Sequence, residues 1–152
     1  MKYSEVEGDL FNSDKNFMLV HCISSDFVLG AGIAKTFRDK YCVKDELIAT
    51  GKKNQWDGNG YCIISDSYEN GNKAWKVANL VTKEKCYYKP TYKTLTQSLE
   101  DLRDYCLNYD YVKIAMPLIG CGLDGLKWSK VSEIVKDIFY NVGGEIVVYH
   151  FK

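Results

Sequence analysis

No sign of charge predominates in this chain: Lys+Arg and Asp+Glu each number 20 among 152 residues, for a net charge of zero. That balance excludes a global field drawing the protein to nucleic acid or an anionic membrane, so any such contact has to be local. No apolar run approaches the length of a membrane span, and the polar N-terminus lacks the apolar core of a signal peptide. No membrane partner is expected, and the location reads as intracellular, cytoplasmic with the nucleus left open. The six cysteines (Cys22, Cys42, Cys62, Cys86, Cys106 and Cys121) form no CxxC pair. Their scatter argues against a zinc site, and free thiols, several of them buried, are expected in a reducing compartment. No linker, repeat or low-complexity tract divides the sequence, so residues 1–152 read as one domain and a monomer. A chain of this length buries roughly 70% of its unfolded surface.

What is present alternates between two periodicities. Residues 3–6 alternate as an opening strand, and residues 17–22 form a dense apolar run of the kind a strand shows when both faces are covered. Residues 33–41 and 45–53 read as two helices. Residues 60–65 and 74–81 are β-like, and the polar Asn70-Gly71 between them marks a turn. Lys89-Pro90-Thr91-Tyr92 signals a helix start, after which Leu95, Leu99, Leu102 and Cys106 share one helical face. Residues 112–119 predict a strand and 129–140 the last helix, whose buried stripe is Val131, Ile134, Val135 and Ile138. Asn141-Val142-Gly143-Gly144 stops that helix, and residues 145–151 predict a final strand. Such alternation implies a three-layer α/β/α sandwich around a central mixed sheet.

Two short glycine loops, Gly30-Ala31-Gly32 and Gly120-Cys121-Gly122, each follow a predicted strand and lead toward a predicted helix. Glycine lets backbone approach a bound group closely, and a helix start offers unpaired N–H donors with partial positive charge. Each loop alone is often only a tight connection, but two cradles at the carboxyl ends of strands suggest a diphosphate. A Rossmann dinucleotide site is not expected. Gly30-Ala31-Gly32-Ile33-Ala34-Lys35 has lysine where the third glycine belongs.

Five separated motifs extend this pattern: Gly8-Asp9-Leu10-Phe11, His21-Cys22-Ile23-Ser24, Gly30-Ala31-Gly32-Ile33-Ala34, Lys89-Pro90-Thr91-Tyr92 and Pro117-Leu118-Ile119-Gly120-Cys121-Gly122-Leu123-Asp124. Taken in this order, they resemble the macrodomain family, and most closely its branch of terminal ADP-ribose protein glycohydrolases. The resemblance implies a site for ADP-ribose, needing neither metal nor other cofactor. Asp9, with Leu10 beside it, would accept a hydrogen bond from the adenine amino group. His21 and Ser24 would lie toward the distal ribose. Gly30, Ala31, Gly32 and Ile33 would line one side of the diphosphate, and Ile119, Gly120, Cys121, Gly122 and Leu123 the other. Tyr149 or Phe151 is expected to pack against adenine.

The same resemblance assigns the chemistry to Lys83 and Asp124. In that branch a lysine attacks the anomeric carbon of the distal ribose and releases the carboxylate esterified there, while an aspartate assists proton transfer and resolution of the covalent intermediate. The expected partners are ADP-ribose and an ADP-ribosylated protein. Three other readings stay open. His21 stands where the ADP-ribose 1″-phosphate phosphatases carry a histidine. A module that only holds ADP-ribose would share most of the cradle and differ at Lys83 and Asp124. Related macrodomains act on ADP-ribosylated thymidine in DNA, but the neutral charge leaves no electrostatic footprint for a nucleic acid, which is not favoured.

Overall fold

A computed structural model describes residues 1–151. Its frame is a six-stranded sheet built from β1 (Lys2–Glu7), β2 (Met18–Ser24), β3 (Tyr61–Ser65), β6 (Val77–Lys83), β7 (Val112–Met116) and β8 (Gly144–His150). The strand order is β1-β8-β7-β2-β6-β3, and every neighbouring pair is parallel except β3 with β6. The sheet is therefore mixed, as the alternation of elements implies.

Strand alternation builds a separate core on each face of this sheet. From β2, Met18 and Val20 point one way while Leu19 and Ile23 point the other; in β6, Ala78 and Leu80 oppose Val77 and Val81. The first face is covered by α3 (Tyr92–Cys106) and α4 (Trp128–Phe139). Leu95, Leu99, Leu102 and Cys106 are fully buried there, as their spacing predicts, together with Val131, Val135 and Ile138. Thr91 caps α3 in a reciprocal pair with Thr94, satisfying the N–H groups of both residues at the helix start. The second face carries α1 (Gly32–Tyr41) and α2 (Val43–Ala49), with Phe37, Tyr41, Val43 and Leu47 buried against Trp75 and Phe27.

Differences from the sequence expectations fall at element ends. The helix predicted over 45–53 is displaced to Val43–Ala49, because Gly51 and Asn54 take left-handed conformations that no helix accommodates. Asn70 and Gly71 are both left-handed and close a small hairpin between β4 (Tyr68–Glu69) and β5 (Asn72–Lys73). Residues 74–76 precede β6 rather than belonging to it, and the strand runs on through Lys83. Likewise β7 stops at Met116, ahead of Pro117, and the expected strand over 117–119 is loop. Among the described residues, no helix is long and apolar enough to cross a membrane.

Candidate functional site

The five parallel strands all end at one edge of the sheet, and a cavity of about 650 Å³ opens there. The first glycine loop forms one wall. Its conformation is fixed from below: Phe27 and Leu29 are both left-handed, a costly state for side chains of this kind, and both bury their side chains in the core. That anchoring leaves Gly30, Ala31 and Gly32 exposed along the wall. At the start of α1, Ala31 makes no side-chain capping bond, so the first-turn N–H groups face outward as donors for an anion.

The second loop forms the opposite wall through Ile119, Gly120, Cys121 and Leu123. Gly120 is left-handed at φ 73°, and a Cβ there would stand 3.0 Å from Leu126 Cδ1. The left-handed backbone favours glycine at that point, and any larger residue would also have to displace Leu126. A short 3-10 turn over Gly122–Asp124 then delivers Asp124 to the cavity before α4 begins at Trp128. The helix cap of α4 is Lys127.

A bulge in the sheet aims the lysine. The register between β2 and β6 slips by one residue at this edge: Ile23 faces Val81, but Ser24 faces Lys83, leaving Thr82 as the extra residue. Lys83 then reaches Asp124 with Nζ 2.9 Å from Oδ1, the two side chains being 15% and 19% exposed. This pair is sheltered from bulk water yet open to the cavity. Lys89, on the loop that follows Lys83, donates to the carbonyl of Leu123, so two lysines from one segment cross to the second glycine loop.

Neighbouring thiols that would compete as nucleophiles are held protonated. Burial, reinforced by the Asp124 carboxylate, pushes the Cys22 thiol up to about 12, and the same two causes raise Cys121. His21 is buried and neutral, its pKa pushed down to about 4 by desolvation, a shift that its hydrogen bond to Asn79 only partly offsets. The Asn79 amide donates to the Ile63 carbonyl and to Ser65 Oγ, so its oxygen is the acceptor and His21 Nε2, at 2.6 Å, carries the proton.

The sequence-predicted residues thus converge only in part. Lys83, Asp124, His21, Ser24, Gly30, Ala31, Gly32, Ile33, Ile119, Gly120, Cys121 and Leu123 all border the cavity. Asp9, Leu10, Gly122, Tyr149 and Phe151 do not. Leu10 is core, and Asp9 accepts the Phe11 N–H at 2.9 Å at the carboxyl end of β1. The Tyr149 ring lies against Gly8, beside that same end, whereas Phe151 is 76% exposed.

Asp26 escaped the sequence reading. Its carboxylate accepts from Ser24 Oγ at 2.5 Å, from the Val28 N–H at 3.3 Å and from the Cys86 N–H at 2.9 Å. Burial raises its pKa, but these bonds outweigh that and hold it below the usual carboxylate range. Ser25 adds a second tie, donating through Oγ to the Glu84 carbonyl at 2.8 Å and through N–H to that of Lys83 at 2.9 Å. Together they fasten the first long loop to the lysine segment. The polar run Ser24-Ser25-Asp26 after a strand is the only signal of this in the sequence.

An α/β/α sandwich whose two glycine loops face each other across a cleft, with a lysine and an aspartate joined at one end, defines a class, and comparisons with known proteins agree on it. The chain is 38% identical to ADP-ribose glycohydrolase OARD1 of Homo sapiens and of Bos taurus over 144 residues, 95% of this chain and 88% of theirs. Among solved structures, the macrodomain of Mycobacterium tuberculosis DarG superposes with a TM-score of 0.79 at 24% identity, covering 97% of this chain and 96% of that one. Thermosipho africanus DarTG in complex with ADP-ribose gives 0.74 at 22% identity, over 97% of this chain and 41% of that one. No protein-family model matches the sequence. The chain belongs to the macrodomain family.

Proposed function

We propose that this protein is a hydrolase that binds ADP-ribose and releases it from glutamate and aspartate esters, using Lys83 as nucleophile and Asp124 as its proton partner. One observation carries the reading: Lys83 Nζ stands 2.9 Å from Asp124 Oδ1 at the end of a cavity walled by both glycine loops. The similarity to a glycohydrolase over nearly the whole chain supports the same reaction class. The diphosphate sits between the loops, with adenine toward Asp9 and the distal ribose toward Lys83.

In the first step the Nζ lone pair attacks the anomeric carbon of the distal ribose. The bond from that carbon to the ester oxygen breaks, and its electron pair leaves with the protein carboxylate. An amine attacks only when neutral, and a lysine is almost wholly protonated at pH 7 by default. Asp124 is within hydrogen-bond reach to relieve Nζ of a proton, which it passes to the departing carboxylate before the second step. In the second step water adds to the same carbon, giving a proton to Asp124, and the bond to Nζ breaks as nitrogen recovers a proton. The sum is one ester plus one water giving ADP-ribose and a free carboxylic acid.

His21 does not favour the phosphatase reading, because its ring is neutral and its Nε2 proton is committed to Asn79. The deciding experiment compares Lys83→Ala with wild type on a protein carrying ADP-ribose on glutamate, alongside calorimetric titration with free ADP-ribose. Loss of release with affinity kept within a few-fold supports the lysine as nucleophile. Release at near wild-type rate by Lys83→Ala refutes it, and binding without any turnover by wild type would leave a reader of ADP-ribose.

A further inference from the structure

Around the lysine end of the cavity the surface changes character. Tyr87 and Tyr88 are exposed, at 73% and 47%, and Leu123 on the facing loop at 74%. Large apolar side chains so open to water are unusual when they gather at one place, and gathering marks an interaction surface more than scattered exposure does. Here they border the cavity mouth from both sides, and the Lys89 bond to the Leu123 carbonyl joins the two loops that carry them.

The charges of this rim are also unequal, with Lys85 and Lys89 against one exposed acid, Glu84. Lys83 is paired with Asp124, but among the described residues no carboxylate lies within ion-pair distance of Lys85 or Lys89. Asp26, the nearest acid of the facing loop, points inward and spends both oxygens on Ser24, Val28 and Cys86. Glu84 is the one exposed acid in the segment, and Ser25 holds its carbonyl.

From these two observations we infer that Tyr87, Tyr88, Leu123 and Lys85 form a docking rim for the polypeptide that carries the ester, and that it selects modified glutamates flanked by acidic and apolar residues. The inference rests on the reaction proposed above. The scissile ester is on the carbon that Lys83 attacks, so the polypeptide attached to it lies at this end of the cavity, beside the rim. A peptide fits better than a nucleic acid. The Tyr87 and Tyr88 rings meet edge to face at 80°, with centroids 4.9 Å apart, so they offer no flat platform for successive bases. Lys85 and Lys89 offset by Glu84, on a chain of zero net charge, make no track for a phosphate backbone, but the net positive charge that remains complements one carboxylate.

The test uses three substrates with the same ADP-ribosyl glutamate ester: a blocked single glutamate, a peptide with acidic flanks and one with basic flanks. Wild type is expected to show a kcat/KM about fivefold higher on the acidic peptide than on the basic one. Lys85→Glu should abolish or invert that ratio, and Tyr87→Ser should lower both peptides relative to the blocked glutamate. Equal kcat/KM on both peptides, unchanged in either variant, would overturn the docking rim. So would a Tyr87-dependent preference for an ADP-ribosylated oligonucleotide over both peptides. A wild type inactive even on the blocked glutamate would instead overturn the reaction itself.

Discussion

The two glycine loops frame one cavity but are built differently. The first is locked: Phe27 and Leu29 anchor it in the core and Asp26 ties it to its neighbour, while its exposed part offers backbone N–H groups and no ionisable side chain. The second has three left-handed glycines, Gly120, Gly122 and Gly125, and between the last two it carries Asp124, with Lys83 and Lys89 reaching it from across the cleft. Binding and chemistry are thereby divided. A rigid donor array suits a diphosphate that does not react, whereas the reacting carbon meets side chains whose protons must move.

The sharpest break of this division comes at the second loop. Asp124→Ala and Lys83→Ala should each reduce ester cleavage by about a thousandfold or more, with the double variant little worse, since residues acting as one unit are strongly non-additive. Single-turnover release of labelled ADP-ribose measures this, and additive losses would show that the pair does not act together.

Next in size is a pH effect beneath the first loop. His21 is neutral in the fold down to about pH 4, while the unfolded chain takes up its proton near 6.5. Between those values the unfolded state binds more protons, so stability rises with pH and is complete above 6.5. The span amounts to about 3 kcal/mol. Urea midpoints from pH 4.5 to 7 should rise in wild type, and the slope should flatten in His21→Gln.

The loops can then be compared directly by adding one methyl group to each. At Gly120 a Cβ meets Leu126 in a left-handed backbone, so Gly120→Ala should lower stability by about 2–3 kcal/mol. At Gly32, left-handed at φ 58° but with nothing within 4 Å, only conformational strain remains, about 1 kcal/mol. Thermal melts of the two proteins would show whether the second loop is the more tightly packed.

The smallest effect is expected at the adenine end. Asp9→Ser keeps an oxygen to cap the Phe11 N–H but is too short to reach a ligand, so ADP-ribose affinity should fall by about 1 kcal/mol with little loss of stability. Unchanged affinity in calorimetry would make Asp9 a capping residue only.

Much of the frame was legible because it is periodic. The leucine stripe of α3, its capping threonine and the apolar run of β2 each announce an element through local spacing. The cradle glycines were legible too, since a turn chemistry repeated after two strands is visible without knowing the fold. What lay hidden is long-range. Lys83 and Asp124 stand 41 positions apart and were legible as a pair only through the family resemblance, while the bulge at Thr82 beneath the lysine is signalled by no local pattern. Asp26 finds the Cys86 N–H 60 positions away, and a backbone donor leaves no mark in the sequence at all.

The pairing of β1 with β8 bears on how the protein comes to be made. On the ribosome, β1 emerges well ahead of its hydrogen-bonding partner, Gly144–His150. Closing a loop of that span is costly in entropy and slow. The lysine end draws on β2, β6 and β7, which are complete by Met116, so it has its strands well before the adenine end does. Until synthesis reaches the last strand, β7 keeps an open apolar edge, and that interval is when a nascent chain is most exposed to pairing with the wrong neighbour.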